Sequence, residues 1–361
     1  MANGQIYLRA RHDDLDLVSC PSPRPFGAVI VYARYLAPYP ADHPRAGQTT
    51  TELVDALRAA KLSYVIDPGT PALSKRDIAT VKEAARLRGS QMVAAIDLPL
   101  RADDLRNRRR REHFVDDTLT MQAGAAAIAA PYLEYKRRGP DVRRVNLAMV
   151  RRCVMSAAGQ LPVAFIQVTL AALLDGVLNE LALAYSATGV TRIFVRIRGL
   201  DAERASAPEF SAYLDAIAAF NEVGVEAVPD CVGRLGPPLV AAGAPSFSTG
   251  AVHFRKVPWP LLNKSGGGGV EVFYEVTGGF HAVARGARHT APSCVVPRCV
   301  AAAPNASLDD LRLHNLHVLR EESRLAAANG GAWYAARLNA SGQPQAVVWG
   351  EVLRERAQRA A

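Results

Sequence analysis

The sequence predicts an α/β protein: a (β/α)8 TIM barrel with a C-terminal extension made of a hairpin and a helix. Eight short, nearly continuous apolar runs follow one another, the pattern of parallel strands covered on both faces. Amphipathic stretches with helix-start signals fall between them, so strands and helices alternate as a barrel requires. No Gly-x-Gly-x-x-Gly follows the first run, which argues against the rival open, doubly wound sheet.

Taken in order, residues 5–10 (QIYLRA) read as an extra strand before the barrel. The barrel strands are 27–32 (GAVIVY), 63–67 (SYVID), 92–97 (MVAAID) and 125–130 (AAAIAA), then 162–168 (PVAFIQV), 192–198 (RIFVRIR), 225–230 (VEAVPD) and 245–249 (PSFST). Thr49 to Glu52 and Ser74 to Asp77 read as capping boxes, and Ser206 with Pro208 and Glu209 opens a third helix. The helix after Thr169 sets Leu170, Leu173, Leu174, Val177, Leu178 and Leu181 on one face. Beyond Val257 the composition changes to a Gly-rich connection at 265–269, a hairpin over 270–276 and 280–284, and a helix over 308–328 capped by Ser307 with Asp310. The chain therefore divides into a barrel, 1–255, and an extension, 256–361.

Composition narrows the class. Of 361 residues, 49% are hydrophobic and 21% charged, which excludes a largely disordered chain. Five cysteines exclude a disulfide scaffold and fit a reducing cytosol, and the first residues carry no apolar signal segment, so a cytoplasmic protein is expected. The net charge of +9 suits a polyanionic partner.

In this fold, sites lie at the carboxyl ends of the strands. There stand Tyr32, Arg34, Asp67, Asp97, Tyr132, Glu134, Gln167, Arg196, Arg198, Asp230 and Ser248, with His253 and Arg255 just beyond. Asp67, Asp97 and Asp230 are the candidate catalytic residues, since a carboxylate held there can act as nucleophile, base or hydrogen-bonding partner. Asp67 opens the rigid turn Asp67-Pro68-Gly69-Thr70-Pro71, and Asp97 stands before Leu98-Pro99. Gln167, Arg196 and Arg198 are candidate substrate-binding residues. The two arginines share a face and need anions, either carboxylates such as Asp67 or Asp230, or a bound phosphate. Arg108, Arg109, Arg110 and Arg111 form a solvated helix face or a nucleic-acid contact. Cys294, Cys299, His314 and His317 supply the ligand number of a structural zinc, with His289 as a spare; otherwise they are packing residues on a polar helix.

The stretch Leu313-His314-Asn315-Leu316 resembles the C-terminal "L-H-N-L" helix of the tRNA-guanine transglycosylases, a zinc-containing barrel family. That family's base-handling D-S-G-G-F turn is similar to the turn at Asp67. Its second base-binding Asp corresponds to Asp97, its strand-end Gln to Gln167, and its F-D-C-V nucleophile segment to Asp230-Cys231-Val232. The resemblance implies an enzyme that exchanges a nucleobase in nucleic acid, with Asp230 attacking the sugar C1′, Asp67, Asp97 and Gln167 holding the base, and Zn2+ in the extension. Two alternatives stay open: a barrel without catalysis that serves as a nucleic-acid-binding or assembly subunit, and a barrel enzyme on a small phosphorylated substrate.

Overall fold

The computed structural model describes residues 4–10, 14–19, 24–33, 51–74, 100–137, 139–202, 204–250, 270–273, 280–283 and 308–360. The strands are β1 (Gln5–Ala10), β2 (Ala28–Tyr32), β3 (Tyr64–Asp67), β4 (Ala127–Ala129), β5 (Leu161–Thr169), β6 (Arg192–Arg198), β7 (Glu226–Asp230), β8 (Ser246–Thr249), β9 (Val270–Phe273) and β10 (Phe280–Val283). The helices are α1 (Leu15–Ser19), α2 (Thr51–Ala59), α3 (Arg108–Thr120), α4 (Pro140–Ser156), α5 (Leu170–Leu174), α6 (Val177–Ser186), α7 (Ala207–Glu222), α8 (Gly236–Ala241), α9 (Leu308–Ala340) and α10 (Pro344–Ala360). No helix among the described residues is long and apolar enough to cross a membrane.

β1 to β8 form one parallel sheet in the order β7-β6-β5-β4-β3-β2-β1-β8, rolled into a nearly closed barrel with helices between the strands. The seam between β7 and β8 is bridged by the Val232 N–H donating to the Ser248 carbonyl at 3.1 Å. The strand read as an extra at 5–10 is in fact a stave of the barrel, paired with β2 on one side and β8 on the other. The run at 92–97, and with it Asp97, lies outside the described residues, and β3 pairs directly with β4.

Alternation explains the membership of β1. Ile6, Leu8 and Ala10 join the core under the helices, while Tyr7 turns to the inner cluster with Ile30, Val65, Phe165, Phe194 and Val228. Rings fill that interior: Phe165 stacks on Phe194 at 4.7 Å, and Tyr7 meets Phe194 edge-on at 5.2 Å. Position 9 points the same way as position 7, one layer nearer the carboxyl ends.

Of the three helix-start signals, the one at Ser206 is met, while those at Thr49 to Glu52 and Ser74 to Asp77 fall partly outside the described residues. Ser206 and Glu209 form the expected capping box of α7, the Ser206 N–H donating to the Glu209 carboxylate at 2.7 Å. The single helix expected after Thr169 is broken into α5 and α6 at Gly176, which adopts φ 73°. Leu173, Val177, Leu178 and Leu181 remain buried, but Leu174 is left exposed. β9 and β10 pair antiparallel as the expected hairpin. α9 runs past 328 to Ala340, with a break at Gly330, and α10 is a second closing helix that the sequence reading omits.

Candidate active site at the carboxyl end of the barrel

Parallel register puts Gln167, Arg196 and Asp230 at one level, because Gln167 pairs with Arg196 and Arg196 with Asp230. Tyr32 and Asp67 pair in the same way on β2 and β3. All of these belong to the inward-facing sets of their strands, directly above the aromatic layer. A charged layer thus sits on an apolar one.

Its centre is a four-membered ion cluster. The Arg9 Nε and Nη2 groups donate to the two Asp230 oxygens at 2.5 Å each, a bidentate fork. Arg196 donates from Nη2 to Asp67 Oδ2 at 2.5 Å and to Asp230 Oδ2 at 2.7 Å, and from Nε to Asp230 Oδ2 at 2.9 Å. Arg9 Nη2 also reaches Asp67 Oδ2 at 3.0 Å, so both carboxylates share both guanidiniums. The other Asp67 oxygen accepts from the Tyr132 hydroxyl and from the Gly69 N–H, both at 2.9 Å. Ser248 donates its hydroxyl to Asp230 and accepts the Cys231 N–H at 2.9 Å. That last bond is made by Cys231 in the left-handed conformation, φ 63°, at the end of β7. Tyr32 lies under both cations, 4.6 Å from Arg9 and 5.4 Å from Arg196.

The turn at Asp67 is held from below. Thr70 donates to the Tyr132 carbonyl at 2.5 Å and accepts the Tyr132 N–H at 2.7 Å, which ties the end of β3 to the segment after β4. Gly69 adopts φ 62°, a conformation that only glycine takes without strain, and this aims its N–H back at Asp67.

The electrostatics follow from this packing. Burial alone would raise the pKa of Asp67 and Asp230, but Arg196 and Arg9 outweigh it and hold both carboxyls below the ordinary value. Both aspartates are therefore carboxylates at neutral pH and neither is a proton donor there. Cys231 behaves oppositely: burial, with Asp230 beside it, pushes its thiol up to about 12, so it is not a neutral-pH nucleophile. Exposure is 0% for Arg9 and Asp67, 1% for Asp230 and 4% for Arg196. The cluster is charge-balanced and has its hydrogen bonds made, with one exception. The buried Arg9 Nη1 has no partner among the described residues.

The remaining sequence candidates fall in three places. Gln167 and Arg198 meet at Glu134, whose Oε1 accepts from Gln167 at 2.7 Å and from Arg198 at 2.5 Å. Of the four arginines that open α3, Arg108 pairs with Glu112 at 2.7 Å and Arg111 donates to the Leu105 carbonyl at 3.0 Å, while Arg109 and Arg110 are exposed. On α9, His314 is buried and His317 half-buried; Cys294, Cys299 and His289 lie outside the described residues. Among the described residues, no group of three or more His, Cys, Asp or Glu side chains is placed to hold a metal.

Arg9 is the site residue that the sequence reading missed. The available signal was a charged side chain alone in an apolar strand, which burial tolerates only against a carboxylate. Tyr132, Glu134 and Ser248 stood among the strand-end residues without an assigned role.

No protein-family model and no curated protein matches the chain. Among solved structures it is similar to a psychrophilic glycoside hydrolase family 10 endo-beta-1,4-xylanase, at 8% identity and TM-score 0.36, over 68% of this chain and 86% of that one. It is also similar to Eubacterium rectale Amy13B, at 10% identity and TM-score 0.39, over 90% and 78% of the two chains. The barrel assignment here stands on the strand order and register, which need no relative.

Proposed function

We propose that this barrel is an enzyme acting on a glycosidic bond, with the charged layer as its reaction centre and a nucleobase in nucleic acid as its substrate class. The observation that carries the reading is the Asp67–Asp230 pair: two carboxylates from different strands, held ionised side by side at the end of the barrel where this fold does chemistry. Cleavage of a glycosidic bond builds positive charge on the sugar, and an ionised carboxylate either stabilises that charge or attacks C1′. In this reading Asp230 is the nucleophile and Asp67, with Asp97 and Gln167, holds the base edge. Attack requires Asp230 to give up one partner, and the Ser248 hydroxyl is the neutral one that can rotate away. Arg109 and Arg110 meet the phosphate backbone; a structural zinc, which the resemblance alone implies, would be held by Cys294, Cys299, His314 and His317, and elemental analysis of the purified protein tests for it.

The saturation of both carboxylates favours the second reading, a barrel without catalysis that binds nucleic acid or assembles with a partner. Incubation with labelled RNA and DNA, scoring release or exchange of a base, separates the two. Turnover by the wild type that Asp230→Asn abolishes, with RNA affinity retained, supports the enzyme. RNA binding without turnover supports the nucleic-acid branch of the second reading. Neither turnover nor binding overturns the enzyme and that branch together, and leaves assembly with a protein partner, which sedimentation of the full chain tests.

A further inference from the structure

A pocket of about 490 Å³ opens on the outside of the barrel, between α4 and α6. Four arginines line it: Arg137 from the segment after β4, and Arg143, Arg144 and Arg151 from α4. Its floor is apolar, with Leu147 and Leu181 buried beneath the cations. Arg144 is already paired with Asp141 at 2.9 Å, and Glu180 is an acidic residue on the lining. Arg137, Arg143 and Arg151 are exposed and have no carboxylate partner among the described residues.

The four charges, three from α4 and one from the segment before it, line one concavity. Guanidinium forks match phosphate oxygens in pairs, which is the reason arginine is the usual residue where phosphate is read. The volume is that of an ordinary small-molecule site, and an apolar floor under a charged rim suits a ligand with an organic body and an anionic end. The first residues of α4 and α6, Pro140 and Val177, also lie on the lining, so two helix N-termini add their positive ends to the same space.

We propose that the α4–α6 pocket is a binding site for a phosphate ester, its phosphates gripped by Arg137, Arg143 and Arg151 and its organic part laid on Leu147 and Leu181. The site lies outside the ion cluster and does not depend on the chemistry assigned to Asp67 and Asp230. One ligand chemistry admits two sources, a free nucleotide or a phosphodiester of a nucleic-acid strand.

Calorimetric titration of the full chain with inorganic pyrophosphate and with adenosine 5′-diphosphate tests the site. Both ligands are expected to saturate, the nucleotide about tenfold tighter because its body covers the floor. Arg143→Ala and Arg151→Ala are each expected to weaken the nucleotide about tenfold, by loss of charge-assisted hydrogen bonds. Arg354→Ala on α10 removes the same charge elsewhere and is expected to leave affinity unchanged. All three positions are exposed, so folding is not at stake, and thermal melts check it. A labelled single-stranded oligonucleotide distinguishes the sources. If it binds tighter than the nucleotide and pyrophosphate displaces it, the ligand is the strand's backbone; if the nucleotide binds tighter, the ligand is the free ester. Absence of saturation by every probe, or equal weakening by Arg354→Ala and Arg143→Ala, overturns the proposal.

Discussion

Asp230, 1% exposed, accepts from two guanidiniums and a hydroxyl. Removing one member of such a cluster leaves the others charged and unpaired, and that residual charge dominates the cost. Asp230→Asn is therefore expected to destabilise the protein by about 3–5 kcal/mol, measured by urea denaturation, because Arg9 and Arg196 then keep only Asp67 between them. A loss under 1 kcal/mol would mean that solvent reaches the cluster. The same residues set an acid limit. Both carboxyls titrate lower in the folded chain than the ordinary value near 3.9, so the unfolded chain binds more protons as pH falls. Their stabilisation is complete above that ordinary value and is lost as pH drops toward the folded values. The urea midpoint is expected to hold steady from pH 7 to about 5 and to fall progressively below that. Asp67→Asn is expected to flatten the fall; an unchanged slope would assign the acid sensitivity to other carboxyls.

At the scale of elements, continuous apolar runs were legible wherever both faces of a strand are covered. β5 and β6 lie where the runs at 162–168 and 192–198 place them, since burial on both sides leaves little room for polar residues. Membership of the barrel was not legible for β1. Its neighbours β2 and β8 come from opposite ends of the barrel sequence, and the pair Arg9–Asp230 spans 221 residues, so no local pattern reports it. Inward alternation did identify Arg196 as a residue in need of anions, and Asp67 and Asp230 are the anions it found. The break between α5 and α6 was written in Gly176, but a uniform leucine face hid it. Packing between elements gives a further test. A Cβ on Gly236, at the start of α8, would run into the Phe247 ring of β8. Gly236→Ala is expected to cost about 1–3 kcal/mol by overpacking, read from thermal melts. Gly243→Ala offers the contrast, since open space surrounds it and only its φ of +107° opposes a side chain.

For the molecule as a whole, the weak point is the seam between β7 and β8, which the ladder leaves unpaired among the described residues. α8 connects those two strands, and α9 packs against α8 and β1, on the same side of the barrel. Ser323 of α9 donates to the Gly4 carbonyl at 2.8 Å, just before β1. α10 continues the cover: Trp349, 1% exposed, donates its indole N–H to the Ala205 carbonyl at 2.9 Å, next to the start of α7. The closing helices therefore act as a clasp over the part of the barrel that hydrogen bonds close least well. If so, loosening the clasp must loosen the barrel with it. Trp349→Ala is expected to cost about 3–5 kcal/mol, the range for emptying a large buried aromatic site. Unfolding is expected to remain one transition, with far-UV dichroism and near-UV tyrosine dichroism giving the same lowered midpoint. Two separated transitions, the helical signal melting first and the tyrosine signal unmoved, would make α9 and α10 an independent appendage and leave the seam to hold itself.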